Sequence, residues 1–493
     1  MKPETKYRGA IKLSAIGDAL GWMTEFVNNK SDLEKRFGVS EIDHFHNWSK
    51  QVGGRFNGYE DHIKSGAYSD DTQLLLAVAR SIDDKGTVDN EYFSKVEFAN
   101  WLSYARGGGR TVKNAAKKIQ RKSATWYNNF FSFKVGKTTV DSIDSGANGV
   151  AMRILPIALA NHQNFSKTHS EVFKNGIITH GHPRALVGAS LYAYCIEQAL
   201  MFRPEDFDRN QFLTLIGKTV DTALALNQNA LGEAAQWIKH WEKEAQMSFQ
   251  TAYDNVVKEA HQGLQDVWKM LQSEISEEEA LKELGCFNPE TRSSGISTVL
   301  GGIYIALRYP TQPLVAVSKA VNCLGTDTDS IAAFVGGIVG AIHGHNIIPD
   351  RWKKVQDWEY LDDIAMHLAR ISFDEGNGNE KLRSKDIVNT LEAVLAEGNP
   401  RVDTQVVFPA LGQGHITGLD IQHALTSGKY NVIVDVEFEN GQSCRFSKLL
   451  NGEIPQNKKI LSPDLNELIL EFESELNSNE KNMFRKILLR LKN

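Results

Sequence analysis

Two segments of this 493-residue chain carry small residues at helical spacing, so densely that a neighbouring helix can lie against their backbones. Gly9, Leu13, Gly17 and Gly21 recur at four-residue steps, with Ala10, Ser14 and Asp18 beside them. Ala332, Gly336, Gly340 and Gly344 repeat the device, flanked by Ala333, Gly337 and Ala341. Residues four apart share one helix face, and a helix that is apolar nearly all round belongs in an interior. Each segment is tied to an acidic loop. Together they fit a compact all-α domain with its site at helix ends. Most of residues 6–370 reads as helix, with further patterns at 184–201, roughly 211–246, 251–273 and 294–308. The Glu- and Lys-rich stretch 251–283 reads as a solvated outer helix pair.

The acidic loops share a design. Tyr68-Ser69-Asp70-Asp71-Thr72-Gln73 leads into Leu74-Leu75-Leu76-Ala77, and Gly325-Thr326-Asp327-Thr328-Asp329-Ser330 leads into Ile331-Ala332-Ala333-Phe334. One such cluster alone reads as an ordinary N-cap. Two, each with more carboxylates than a cap needs, point to a cation, because adjacent anions repel. Oxygen-only donors suit a hard ion such as Mg²⁺ or Mn²⁺. A phosphatase-type nucleophilic Asp would need a buried strand before it, and Asn322-Cys323-Leu324-Gly325-Thr326 makes a poor one. An EF-hand would need a third acidic position, a Gly at the sixth and a closing Glu, all missing here.

Three further segments carry candidate chemistry. Gly17-Asp18-Ala19-Leu20-Gly21 ends the first buried helix and delivers Glu25 to its mouth. Taken alone, Glu25 is an exposed helix-end residue. Ser145-Gly146-Ala147-Asn148-Gly149 runs into the apolar Val150-Ala151-Met152-Arg153, and such a loop can offer N–H groups to phosphate. Taken alone it is a turn. Thr179-His180-Gly181-His182-Pro183 precedes another helix and reads equally well as a metal-binding pair or a cap.

In this order, the five motifs closely resemble the ADP-ribosylglycohydrolase family over roughly residues 6–370. The resemblance implies an orthogonal all-α fold around two divalent ions, Mg²⁺ or Mn²⁺. By motif position it makes Ser69, Asp70, Asp71, Asp327, Asp329 and Ser330 metal ligands. Asp70 and Asp71 are secondarily candidate acid–base groups. Glu25 becomes base or gate. Ser145, Gly146, Asn148 and Gly149 would bind the diphosphate and distal ribose, and His180 the phosphate–ribose side. Four positions depart from the family pattern: Ser69 and Ser330 for the frequent Thr, Thr326 for a Gly, and Ala147 for a Gly. No carboxylate is lost, so an active enzyme is expected. It would attack the anomeric carbon with a water whose pKa the ions lower, a carboxylate taking the proton. Its substrate would be an ADP-ribosylated protein, modified on arginine, and a cognate ADP-ribosyltransferase is a further candidate partner. The competing readings are a non-catalytic ADP-ribose binder and an immunity protein that neutralises a partner transferase.

Beyond about residue 370 the character changes. Gly376-Asn377-Gly378-Asn379-Glu380 reads as a linker between a catalytic domain over 1–372 and a small α+β appendage over 380–493, outside the resemblance. Asn431 to Phe438 alternates as a strand, Asn440-Gly441 signals a hairpin, and Ser443 to Phe446 returns. Asp464 to Asn493 reads as an amphipathic helix, and His415 and His423 as incidental histidines in a loop–helix region. Net charge is −6, which implies no general affinity for nucleic acid or membranes. There is no apolar stretch of about 20 residues, and the polar N-terminus lacks a signal-peptide core. Cys195, Cys286, Cys323 and Cys444 lack paired spacing and read as reduced thiols of a cytoplasmic protein, Cys323 as a small buried residue.

Overall fold

The computed structural model describes residues 2–273, 275–373, 390–398, 400–454 and 484. The chain divides into two compact units, Met1–His46 with Ser65–Lys381, and Asn47–Lys64 with Leu382–Asn493. From the N-terminus it passes through α1 (Pro3–Thr24), strands β1 (Trp48–Val52) and β2 (Tyr59–Ile63), α2 (Asp70–Arg80) and α3 (Arg110–Ile119). Strands β3 (Ser132–Val135) and β4 (Thr138–Asp141) follow, then α4 (Pro183–Met201), α5 (Gly295–Arg308) and α6 (Thr328–His343). Strands β5 (Gln405–Phe408), β6 (Gly412–His423), β7 (Lys429–Phe438) and β8 (Ser443–Asn451) come last.

The first unit is organised on α1 and α6. Pro3 opens α1, where its missing N–H has no partner to lose, and every residue from Gly9 to Thr24 is buried. The two helices lie backbone against backbone. A Cβ on Gly17 would stand 2.2 Å from the Ala332 carbonyl oxygen, and one on Gly336 2.0 Å from that of Leu13. Both small-residue stripes are therefore used by one contact. Thr24 Oγ1 donates to Thr328 Oγ1 at 3.0 Å, tying the end of α1 to the start of α6. Around this pair α4 meets α5 as closely: a Cβ on Gly188 would lie 2.2 Å from the Gly295 carbonyl oxygen. The expected helix at 211–246 is split into Arg209–Ala223 and Ala234–Ala245, and the outer segment forms Phe249–Leu271 and Glu277–Glu283.

The chain is not all-α. Within the stretch read as helical, β3 pairs with β4 antiparallel in the first unit, Ser132 opposite Asp141, and β1 pairs with β2 in the second. These strands have four or five residues each, too few for a period of two to stand out. The second unit is built on an antiparallel four-stranded sheet of order β5-β6-β7-β8. The expected hairpin at Asn440-Gly441 joins β7 to β8, with Gly441 at φ +91°. His415 and His423 both lie on β6, not in a loop–helix region. Three glycines, Gly412, Gly414 and Gly418, disguise this strand in the sequence.

The β1–β2 hairpin is stitched to that sheet inside the second unit. Arg445 on β8 donates to both Asp435 oxygens at 2.7 and 3.0 Å, to Asp61 Oδ1 at 2.9 Å and to the His62 carbonyl at 2.8 Å. Gln422 exchanges hydrogen bonds with the Glu60 backbone, both at 2.9 Å. The linker expected at 376–380 and the helix expected at 464–493 lie outside the described residues. Among those described, no helix is long and apolar enough to cross a membrane. All four cysteines are free thiols; Cys195, Cys286 and Cys444 are buried and Cys323 is half-buried.

Candidate active site

The acidic centre is made where three helix ends meet. Ser69 caps α2, its Oγ accepting from the Asp71 N–H at 3.2 Å, which leaves Asp70 and Asp71 in the first turn, where the helix dipole favours anions. Asp327 stands at the N-cap position of α6 without a side-chain capping hydrogen bond, and Asp329 lies in the first turn. Glu25 follows the last residue of α1 and is half-buried. A hydrogen bond joins the two acidic loops directly: Ser330 Oγ donates to Asp71 Oδ2 at 2.8 Å. Asp329 Oδ1 accepts from the Ser330 N–H at 2.8 Å. The seven expected residues Glu25, Ser69, Asp70, Asp71, Asp327, Asp329 and Ser330 thus belong to one centre, although they span most of the first unit's sequence.

Asp18 completes it and had no assigned role in the sequence. It lies on α1, fully buried, and its carboxylate accepts from the Ser69 N–H at 3.2 Å, the Thr72 N–H at 3.0 Å and Thr72 Oγ1 at 2.6 Å. An acidic residue among the small residues of a buried helix was the available signal. Gly107 and Gly108 were also missed. The Gly108 N–H donates to Asp70 Oδ1 at 2.6 Å, and a Cβ on Gly107 would stand 2.5 Å from that oxygen. Both glycines have φ near +80°, at +82° and +80°, a conformation L side chains rarely adopt.

The electrostatics follow from burial. Desolvation pushes the Asp70 carboxyl up to about 6, with the Asp18 charge adding to it and the Gly108 N–H opposing. Desolvation also raises Asp71 well above the carboxylate range, helped by Asp18, Asp70 and Asp327. Asp329 is raised likewise, first by desolvation and then by Glu25, Asp71 and Asp327. Such a set is under strain at neutral pH and is relieved by positive charge. Its donors are hard carboxylate and hydroxyl oxygens, the chemistry of Mg²⁺ or Mn²⁺ ligation. Among the described residues no three His, Cys, Asp or Glu side chains are already drawn together as a metal-holding group. Here the carboxylate oxygens are turned to hydrogen-bond donors.

A second cluster adjoins the first. Ser145, Gly146, Asn148 and Gly149 form a loop pinned to the start of α5: the Asn148 N–H donates to the Ser293 carbonyl at 2.8 Å, and Gly295 N–H to that of Gly146 at 3.0 Å. Beneath it lies Arg153, fully buried, which donates to the Gly149 carbonyl at 2.5 Å and to Asn175 Oδ1 and O, each at 2.9 Å. His180 fills the space a side chain at 149 would need, its Cε1 2.7 Å from where that Cβ would be. Its Nδ1 meets Thr179 Oγ1 at 2.8 Å. Burial, then the Arg153 charge, lowers its pKa to about 3, so the ring is neutral. His180 Nε2 and Asn148 Nδ2 are buried without a partner. Unsatisfied buried polar atoms are rare and costly, and a pair lining one loop points to a ligand. His182 caps α4 through its Nδ1, which accepts from the Arg184 N–H at 3.1 Å, so the capping alternative holds for it. Between the clusters runs the segment from Gly108, on Asp70, to Thr111, whose hydroxyl donates to Ser145 Oγ at 3.3 Å.

A family model described as ADP-ribosylglycohydrolase matches residues 1–377. ADP-ribosyl-(dinitrogen reductase) glycohydrolase of Rhodospirillum rubrum is 31% identical over 176 residues, 36% of this chain and 51% of that protein, so the chain matches about half of that relative's length. ADP-ribosylhydrolase ARH3 of Danio rerio is 24% identical over 376 residues, 74% of this chain and 90% of that protein. ADP-ribosylarginine hydrolase Tri1 of Serratia proteamaculans is 20% identical over 381 residues, 75% of this chain and 80% of that protein.

Proposed function

The chain belongs to the ADP-ribosylglycohydrolase family, a family of ADP-ribosyl hydrolases, and on that premise we propose that its acidic centre cleaves the glycosidic bond between ADP-ribose and a modified acceptor. The observation that carries this reading is the meeting of the two acidic loops through Ser330 and Asp71 beside the Ser145–Gly149 loop, where Asn148 Nδ2 and the adjoining His180 Nε2 are buried without a partner. Asn148 Nδ2 and neutral His180 Nε2 are placed to take oxygens of the ADP-ribose. The Ser145–Gly149 loop is our candidate for the diphosphate, with His180 packed against Gly149 where a side chain would otherwise stand. Ser69, Asp70, Asp71, Asp327, Asp329 and Ser330 are the oxygen donors that would hold divalent cations, Mg²⁺ or Mn²⁺, two of them by the family resemblance. Such ions, when bound, supply Lewis-acid charge and lower the pKa of a nearby water. Glu25, half-buried beside Asp329, is the group that accepts the proton of the attacking water. The leaving acceptor departs unmodified and the diphosphate stays intact.

Arginine is the acceptor we place first, because one relative's name gives that linkage. The test is turnover of arginine-linked and serine-linked ADP-ribosyl substrates by the full chain, with and without chelator, the products read by mass spectrometry. Free ADP-ribose is expected, abolished by chelator and by Asp71→Asn or Asp329→Asn. Glu25→Gln should slow turnover by at least about 100-fold, the usual worth of a general base, with ADP-ribose affinity within a few-fold. AMP among the products would make the enzyme a pyrophosphatase and sink the proposal. Release from the serine substrate alone would remove arginine and leave the rest.

A further inference from the structure

The Ser145–Gly149 loop offers a diphosphate polar groups but no positive charge. His180 beside it is neutral. The nearby arginines are engaged by the protein: Arg153 by the Gly149 carbonyl and Asn175, and Arg184 by both Glu259 oxygens at 3.0 Å. The adjoining acidic centre is negative. Positive charge for an anion has to come from a third element.

That element is the start of α3. It has no side-chain cap: Gly109 stands at the N-cap, and no acceptor among the described residues takes the N–H groups of Arg110, Thr111 and Val112. Its first turn also breaks the usual charge pattern. A helix start favours acids and disfavours cations. Here the turn carries Arg110 and Lys113 and no acid, and the sequence has no Asp or Glu from Phe98 to Val140. Three free N–H groups, with two cations added to the positive end of the dipole, are a helix start left for an anion from outside.

Its place in the fold says which anion. Thr111 donates to Ser145 Oγ at 3.3 Å, and Val112 Cγ2 lies 2.9 Å from where a Gly149 Cβ would be. His180 Nε2, buried without a partner, lies 3.1 Å from that same point, so the open nitrogen borders the first turn of α3. Gly108, just before the N-cap, donates to Asp70 Oδ1 at 2.6 Å. Side chains on a helix lean toward its N-terminus, and Lys113 does so: its Cε lies 3.0 Å from where a Gly108 Cβ would be. The ammonium beyond it acts on Asp70, opposing the larger effect of burial on that carboxyl.

We propose that the N-terminus of α3 and Lys113 complete the diphosphate site with the Ser145–Gly149 loop: the N–H groups of Arg110 to Val112 take phosphate oxygens, and the Lys113 ammonium supplies the positive charge. Lys113 is then a substrate-binding residue. The identity of the anion rests on the hydrolase reading.

Calorimetry of ADP-ribose into the full chain with Mn²⁺ tests this, beside turnover of a small ADP-ribosyl substrate. Lys113→Gln should weaken ADP-ribose binding about 10- to 100-fold, the usual range for losing a hydrogen bond to a charged group. Gly109→Asp separates binding from folding. Gly109 has φ −65°, and nothing lies within 4 Å of where its Cβ would be, so a side chain is accommodated. An Asp there caps the helix and meets its N–H groups with a charge of its own. The melting temperature of the ligand-free protein should hold or rise, while ADP-ribose affinity falls by about tenfold or more. A helix start with a structural role alone would accept the cap and keep its affinity. Wild-type affinity in both variants, with substrate still turned over, would overturn the proposal and leave the hydrolase reading standing. Tighter Mn²⁺ binding by Lys113→Gln at unchanged ADP-ribose affinity would overturn it too, making Lys113 an internal counter-ion of Asp70. Affinity lost in both variants of a protein that binds ADP-ribose but releases none from substrate would support the site and sink the hydrolase reading.

Discussion

A carboxylate as deeply buried as Asp18 is held in place only where hydrogen bonds or cations offset its desolvation. Three donors from the start of α2 do so, and in doing so they fix Ser69 to Thr72 against α1. Asp18 is therefore a positioning residue: it holds the segment that carries Asp70 and Asp71, two of the carboxylates we propose as ion ligands. Asp18→Asn puts an amide N–H₂ among N–H donors. Its affinity for Mn²⁺, measured by calorimetry, should fall by about 10- to 100-fold, the usual effect of losing a group that orients ligands. The melting temperature of the ion-free protein should move little by comparison. Unchanged affinity would mean the loop holds its own shape. The neighbouring acids add a pH dependence. Asp70 has its carboxyl raised to about 6, and Asp71 and Asp329 are raised further. A raised carboxyl stabilises the fold below the ordinary carboxylate range, and that contribution is lost as pH rises through the folded value. Ion-free protein should thus lose stability from about pH 4 upward. Cations reverse the loss, so the rise in melting temperature on adding Mn²⁺ should be larger at pH 8 than at pH 5. An equal rise at both would show that these acids are not what the ion neutralises.

At the scale of elements, the sequence is legible wherever a feature is local. The glycine stripes of α1 and α6, the Ser69 cap, and the turn at Asn440-Gly441 each depend on residues within a few positions of one another. Periodicity shows that a face is small, but it does not say what lies on it. That the two stripes meet each other is visible only in the structure. The short strands β1 to β4 fall below the length at which alternation is readable, which is why the first 370 residues read as all-α, whereas in the longer β6 the glycines break the pattern. Backbone-acting residues were hidden for a different reason. Gly108 acts through a backbone N–H, and Ser293 through a carbonyl, so their side-chain types advertise nothing. The stripe contact gives a pair of opposite predictions. Gly336→Val would drive side-chain carbons into the Leu13 carbonyl and should cost about 3 kcal/mol or more, a severe case of overpacking. Gly217, inside the helix Arg209–Ala223, has nothing within 4 Å of where a methyl group would sit. Gly217→Ala should therefore stabilise by roughly 0.5–1 kcal/mol. Urea titration of the two variants would check both signs.

At the scale of the whole molecule, the chain builds its second unit from two distant stretches. The sequence suggests a boundary at 372 to 380; the compact units divide between Lys381 and Leu382, and the second also takes Asn47–Lys64 from near the N-terminus. A two-stranded hairpin is marginal in water by itself, so β1 and β2 depend on that sheet. Arg445 is the main link: its side chain is 8% exposed, against 6% for Asp61 and 21% for Asp435. Burial opposes its charge, and the two carboxylates outweigh this and hold its pKa above the ordinary arginine value. Removing one member of such a group leaves buried charge uncompensated, at about 3–5 kcal/mol. Arg445→Met should accordingly lower the melting of the second unit and open the Gly53–Gly58 turn to proteolysis. Asp18, Asp70, Asp71, Asp329 and the Ser145–Gly149 loop all belong to the first unit. ADP-ribose release by Arg445→Met should then stay within a few-fold of wild type at temperatures below the lowered transition. Calorimetry beside the hydrolysis assay decides it. One cooperative transition, falling together with turnover, would mean that the sheet is needed for the chemistry and that the two units do not melt independently.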